Sequence, residues 1–112
     1  MPKNELYEVV VSQLAIDDLN EIVGYYESLS HSYINSVIDK FENNINSLAV
    51  FPRNGRIIPE LSRQGIEKYR ELIQGNYRIV YEVMDEKVIV HTVIDSRRNF
   101  EDILLTKLMR YI

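Results

Sequence analysis

Two dipeptides constrain this chain more than any other feature in it. Gly75-Asn76 separates KYRELIQ (68–74) from YRIVYEVM (77–84), and Asp85-Glu86 separates the second run from KVIVHTVID (87–95). All three runs are rich in β-branched and aromatic residues. A two-residue link between such runs is a hairpin signal. Two tight links in succession imply a three-stranded antiparallel meander whose register the turns set. If Gln74 opposes Tyr77, then Ile73 opposes Arg78 and Leu72 opposes Ile79. If Met84 opposes Lys87, then Val80 opposes His91 and Arg78 opposes Val93.

Side chains alternate across a strand, so this register sorts them onto two faces. One face carries Leu72, Tyr77, Ile79, Tyr81, Val83, Val88, Val90 and Ile94, is almost wholly apolar, and must lie under something. The other carries Tyr69, Glu71, Ile73, Arg78, Val80, Glu82, Ile89, His91 and Val93, and it is mixed. Two readings of the mixed face stand side by side. Either its apolar members surround Arg78 as a surface that meets a partner, or it is a solvated face. In the second case Arg78 pairs across strands with Glu71 or Glu82, for at most about 1 kcal/mol.

The preceding half supplies the cover for the apolar face. YEVVVS (7–12) reads as a first strand and Ser12 as the N-cap of a helix running to about Leu29. Ala15, Leu19, Ile22, Val23 and Tyr26 recur at helical spacing along it. A second helix from about Ser32 to Val50 carries Ile34, Val37, Ile38, Phe41, Ile45 and Leu48 as its apolar stripe. The short SLSHS break makes the two an antiparallel helix hairpin. FPRNGRIIPELSRQG (51–65), with two prolines and two glycines, is a loop with room for one short helical turn. SRRNFEDILLTKLMRYI (96–112) closes the chain with a short amphipathic helix bearing Phe100, Ile103, Leu104, Leu108 and Met109. The expected architecture is a single α+β domain over residues 1–112, in the order β-α-α-β-β-β-α. It is a small antiparallel sheet with an N-terminal helix hairpin packed on one face.

Charge narrows the choice of partners. The net charge is −4 over 112 residues, which disfavours non-specific nucleic-acid binding. It is unevenly spread. Residues 1–52 hold 2 basic and 8 acidic side chains, whereas residues 53–78 hold 6 basic (Arg53, Arg56, Arg63, Lys68, Arg70, Arg78) and 3 acidic. Such a cluster can steer an acidic partner or simply solvate a loop. There is no cysteine, so thiolate chemistry and disulfides are excluded, in keeping with a reducing cytoplasm. The start of the chain has no long apolar run of the signal-peptide or membrane-span kind. His31 and His91 have no metal-ligand spacing, so no metal or other cofactor is expected. A mid-strand histidine such as His91 most often makes a hydrogen bond, though its parity also sets it near Arg78 as a general acid or base.

Four segments in order, VVVSQLAIDDLNEIVGYY, LAVFPRNGR, YRELIQGNYRIVYEV and HTVIDSRRNFEDIL, resemble the RelE/ParE superfamily of toxins from type II toxin–antitoxin systems over nearly the whole chain. The resemblance implies the fold described above and an antitoxin partner in a hetero-oligomer. It offers two activities. One branch cleaves mRNA on the ribosome without a metal, using cations and an acid–base group. The other binds and poisons DNA gyrase. The nuclease branch sets lysines on the strand before the Tyr-Arg strand, where parity puts Tyr69 and Glu71 here. It often sets a tyrosine about two turns beyond the last-strand arginine, where counting from Arg98 reaches Leu104, with Tyr111 further on. The resemblance therefore points to the gyrase-binding, ParE-like branch. The partner-binding set it implies is Tyr69, Arg70, Arg78, Arg97 and Arg98, with Ile73, Val80, Ile89 and Val93 on the mixed face and Phe100 and Leu104 on the last helix. The nuclease alternative would use Arg78, Arg98 and His91. A third possibility is a member that only binds its antitoxin.

Overall fold

A computed structural model describes residues 6–109. Strand β1 (Glu8–Val11) leads into helix α1 (Gln13–Glu27) and helix α2 (His31–Ser47). A two-residue strand β2 (Arg56–Ile57) and one-turn helix α3 (Pro59–Ser62) follow, then β3 (Tyr69–Gln74), β4 (Tyr77–Met84), β5 (Lys87–Asp95) and α4 (Phe100–Leu108). The stretch expected to be helical near the C-terminus ends in three residues outside those described.

The sheet order is β1-β5-β4-β3-β2. The meander forms as expected, with Ile73 opposite Arg78 and Met84 opposite Lys87. Gly75 and Asp85 hold the two turns at φ 56° and 55°, the left-handed region a twisted two-residue hairpin needs. Ser12 caps α1 by accepting the Ala15 N–H at 3.1 Å, and Ser30 caps α2.

Four features depart from the expectation. First, β1 pairs with β5 in parallel, so the sheet is mixed rather than antiparallel. The helix hairpin leads the chain to the far edge of the sheet, and the two tight turns after β3 then return β5 in the direction of β3, alongside β1. Second, the loop contributes β2 and α3. Third, Val80 opposes Thr92 and Arg78 opposes Ile94, because β5 carries one additional residue, His91, at a bulge beside Val80/Tyr81. A one-residue slip exchanges faces. Val93 therefore joins the helix-hairpin core and Ile94 the opposite side, the reverse of the expected assignment. Fourth, the second face is not open. It has its own core of Ile58, Leu61, Val80, Ile94, Phe100 and Leu104, supplied by α3, α4 and the loop. The result is a sheet covered on both sides. The main core, with Ala15, Val37, Phe41, Ile45 and Leu48 against Ile79, Tyr81, Val88 and Val90, lies under the hairpin.

β1 pairs with β5 only as far as Val90, which leaves the edge of β5 beyond it unpaired. Asp18 of α1 fills that gap. Its carboxylate accepts from the Val93 N–H at 3.1 Å and from the Thr92 hydroxyl, and its other oxygen takes Lys107 Nζ of α4 at 2.7 Å. One buried carboxylate thus joins α1, β5 and α4, and satisfies a strand-edge donor that would otherwise be orphaned.

Candidate functional site

Arg78 organises the second face. Its Nε donates to Glu71 Oε1 at 2.6 Å and its Nη2 to Glu71 Oε2 at 2.8 Å. Nη1 and Nη2 also donate to the two oxygens of Glu60 at 2.9 and 2.8 Å. The guanidinium carbon lies 3.5 Å from the centroid of the Phe100 ring, which roofs it. Arg56 Nε adds a bond of 2.7 Å to Glu71 Oε2. Two cations and two carboxylates form one network, in which Glu71 is fully buried and Arg78 nearly so. Burial works against the charge on Arg78, but its hydrogen bonds to Glu60 and Glu71 outweigh it and hold its pKa above the ordinary arginine value. The Arg78 hydrogen bond in turn holds the Glu60 carboxyl down at about 2. The planar fork of arginine suits two bidentate carboxylates. This arrangement binds structure together and commits four of the five N–H donors of Arg78 to carboxylates.

Beside the bulge lies a second polar group. His91 Nε2 is 2.9 Å from Glu82 Oε1, with both side chains half-buried, and the Tyr69 ring packs edge-on to His91 at 5.5 Å between centroids. Lys68 Nζ stands 5.2 Å from the Tyr69 ring centre. Tyr69, His91, Glu82 and Ile89 therefore share one corner of the second face. Arg98 is not part of it. It follows Asp95, which closes β5 four residues after His91, about 13 Å along an extended strand.

Arg97 and Arg98 instead line a cleft of about 540 Å³ between α1 and the β5–α4 junction, together with Glu21, Tyr25, Tyr77 and Lys107. Arg97 grips Asp95 through bonds of 3.0 and 2.7 Å, which lowers the Asp95 pKa and raises that of Arg97. Arg98 is exposed and, among the described residues, makes no side-chain hydrogen bond or ion pair. Of the two adjacent arginines, Arg98 has the guanidinium available to a partner. Burial, reinforced by the Tyr26 hydroxyl at 3.4 Å, pushes the Tyr77 hydroxyl well above its ordinary pKa.

The remaining residues of the expected partner-binding set scatter. Ile73 is exposed and Ile89 half-buried. Val80, Val93, Phe100 and Leu104 lie in the interior, Val93 under the helix hairpin and the others under α3 and α4. The expectation that the apolar members of this face are displayed to solvent is corrected at Val80 and Val93. Arg70 sits on the hairpin side, where Nη1 donates to the carbonyl of Gly55 at 2.8 Å. Tyr111 lies outside the described residues. Among the described residues no group of three or more histidine, aspartate or glutamate side chains is gathered closely enough to hold a metal ion.

Two residues that organise these sites, Glu60 and Asp18, carried no weight in the sequence reading. Glu60 had a local signal. A proline at the first helical position followed by an acid marks a helix start, but nothing local says that the acid turns inward to Arg78. At Asp18 the sequence offers only an acid in a helix, with nothing local to say that it turns inward to β5 and Lys107.

A family model described as the ParE toxin of the type II toxin–antitoxin system parDE matches residues 9–100. The chain belongs to this toxin family. Its fold is also that of a chain in the crystal structure of the toxin–antitoxin complex RelBE2 from Mycobacterium tuberculosis. That match has a TM-score of 0.55 at 21% identity and covers 85% of this chain and 97% of that one. No curated protein matches the sequence. The α+β architecture is thus the RelE/ParE-like one, with the matched segment running from β1 to the first residue of α4. Among the described residues of this ParE-family toxin, no helix is long and apolar enough to cross a membrane.

Proposed function

We propose that this toxin acts by binding rather than by cleaving, with DNA gyrase as its target, and that a cognate antitoxin protein holds it inactive in a hetero-oligomer in the cytoplasm. The observation that carries the choice of binding is the state of Arg78. A metal-free RNase needs cations on the scissile phosphate and an acid–base group beside it. Here the arginine that would serve is held by Glu60 and Glu71 and roofed by Phe100. Glu71 also stands where a phosphate would meet repulsion. Arg98 and His91, the other members of a nuclease set, belong to separate surfaces. Membership of the ParE toxin family favours gyrase as the target. The antitoxin partner draws support from the fold-related chain, which was crystallised as part of a toxin–antitoxin complex.

The second reading is a ribosome-dependent mRNA endonuclease. It draws on the His91–Glu82 pair beside Tyr69, a half-buried imidazole and carboxylate of the kind general acid–base chemistry uses. One experiment separates the readings. After brief induction in a bacterial host, DNA synthesis and protein synthesis are followed by separate pulse labels over the first minutes. Arrest of DNA synthesis first is the expected result. Arrest of protein synthesis first would replace gyrase with the ribosome and mRNA. No arrest of either would leave a member that only binds its antitoxin.

A further inference from the structure

The basic cluster of the sequence is sorted by the fold into two sets. Residues 53–78 hold 6 basic side chains against 3 acidic ones. Two of the acids, Glu60 and Glu71, are both spent on Arg78, and Glu71 also takes Arg56. The third, Glu67, accepts from Ser62. Arg53 and Arg70 receive no carboxylate within ion-pair distance among the described residues.

These two arginines meet at one place. Arg70 Nη1 donates to the carbonyls of Gly55 at 2.8 Å and of Arg53 at 3.4 Å, which ties the loop after α2 to the side of β3. Carbonyl oxygens orient a guanidinium without neutralising it. The Gly55 N–H donates to the Tyr81 hydroxyl at 2.8 Å, and both guanidiniums act electrostatically on that hydroxyl. The approach is so close that a Cβ at Gly55 would lie 2.6 Å from the Tyr81 oxygen. Hydrogen bonds at both the N–H and the carbonyl of Gly55 therefore anchor the loop to β4 and β3. Just before Arg53 in the chain, Val50 and Phe51 are 56% and 63% exposed, two consecutive large apolar side chains with no cover.

We propose that Val50, Phe51, Arg53 and Arg70 form a docking surface for an acidic segment of a partner protein, with carboxylates on the two guanidiniums and an apolar side chain against Phe51. Charge complementarity selects the occupant. Two arginines without a carboxylate, Arg70 oriented by carbonyls and Arg53 exposed, next to exposed apolar side chains match alternating acidic and apolar side chains, and arginine with an aromatic anchor is the composition of interface hot spots. A nucleic-acid backbone fits less well. It needs a longer run of cations, and the neighbouring helix hairpin belongs to a segment with 8 acidic residues and 2 basic ones. This surface is separate from the Arg78 network and from the Arg98 cleft.

The test is selection from a random 12-residue peptide library on the immobilised full chain, followed by anisotropy titration of the selected peptide. Selected peptides are expected to be rich in Asp and Glu with an interspersed aromatic or leucine, and to weaken steeply with salt. Arg53→Glu should weaken binding at least tenfold and Phe51→Ser about fivefold. Both side chains are exposed, and an unchanged thermal transition would show that both variants fold. Selection of peptides without acidic residues, or equal binding by Arg53→Glu, would overturn the proposal. So would tighter Arg53-dependent binding of a 12-nucleotide single strand, which would reassign the surface to nucleic acid.

Discussion

The two faces of the sheet are closed by different physics. The helix-hairpin face is closed by apolar stripes on two long helices, with Ala15, Phe41 and Leu48 against Ile79, Tyr81 and Val90. The opposite face is closed by a four-residue helix, a loop and α4, whose smaller apolar cluster of Ile58, Leu61, Phe100 and Leu104 packs beside an ion network. The first kind of closure depends on buried apolar area, which tolerates small shifts. The second depends on exact partners, because a buried charge without one costs several kcal/mol. A short helix such as α3 has little apolar area to contribute. Its docking is secured by Glu60 on Arg78 together with Leu61 and Ile58, both fully buried. The lesson is that an arginine in a strand need not mark a binding surface. It can be the fastening for the pieces that cover it.

This contrast can be broken by experiment, starting with the largest effect. Arg78→Ala should cost about 3–5 kcal/mol in denaturant unfolding, since it leaves the buried Glu71 with only the exposed Arg56 as counter-charge. A double change, Arg78→Met with Glu71→Leu, should restore most of that loss, because a well-packed apolar pair can replace a buried ion pair. A loss below about 1 kcal/mol for Arg78→Ala would show that the network is incidental. Next come two matched truncations. Leu48 and Leu104 are both fully buried, on opposite faces, and Leu→Ala at each should cost about 2–5 kcal/mol. A much smaller loss at Leu104 would mean that α4 only rests on the sheet.

A pH titration sharpens the same point with a smaller effect. Glu60 is held at about 2 against an ordinary value of 4.5. A carboxyl depressed in the folded state contributes stability that is fully present above its unfolded pKa and is lost as pH falls through its folded one. Stability should therefore decline between about pH 4.5 and 2. In Glu60→Gln that part of the slope should disappear, with lower stability at neutral pH. An unchanged slope would place the acid sensitivity elsewhere. The smallest effect belongs to Arg98→Ala. The side chain is exposed and pairs with nothing among the described residues, so unfolding should change by no more than about 0.5 kcal/mol. If induction of the chain arrests growth, loss of that arrest in Arg98→Ala at unchanged stability would report a partner contact in the cleft.

Legibility from the sequence follows the range of the forces involved. The helices were readable because Ser12 caps within three residues and the apolar stripes repeat every turn, although the cap of α2 is Ser30, inside the stretch read as the break between the helices. The hairpins were readable because Gly75 and the residues around it decide their own turn. The register failed at one residue, His91, and that slip exchanged Val93 and Ile94 between faces. Either strand reads as β, and only packing on both sides of the sheet decides where the extra residue is accommodated.

The same boundary runs through the candidate sites. The sequence by itself determined that a cluster of arginines would lie around the meander, that thiol chemistry was excluded, and that one face of the sheet would be core. It also carried the segments by which the family is recognised. Tertiary structure decided which arginines are neutralised. Glu60 reaches Arg78 across 18 residues, Asp18 reaches Lys107 across 89, Arg70 is left with carbonyls alone, and Arg53 has no carboxylate within ion-pair distance among the described residues. Hydrophobic periodicity is a property of neighbours along the chain, whereas charge compensation is a property of neighbours in space. The first can be read from a string of letters, and the second exists only once the chain has folded.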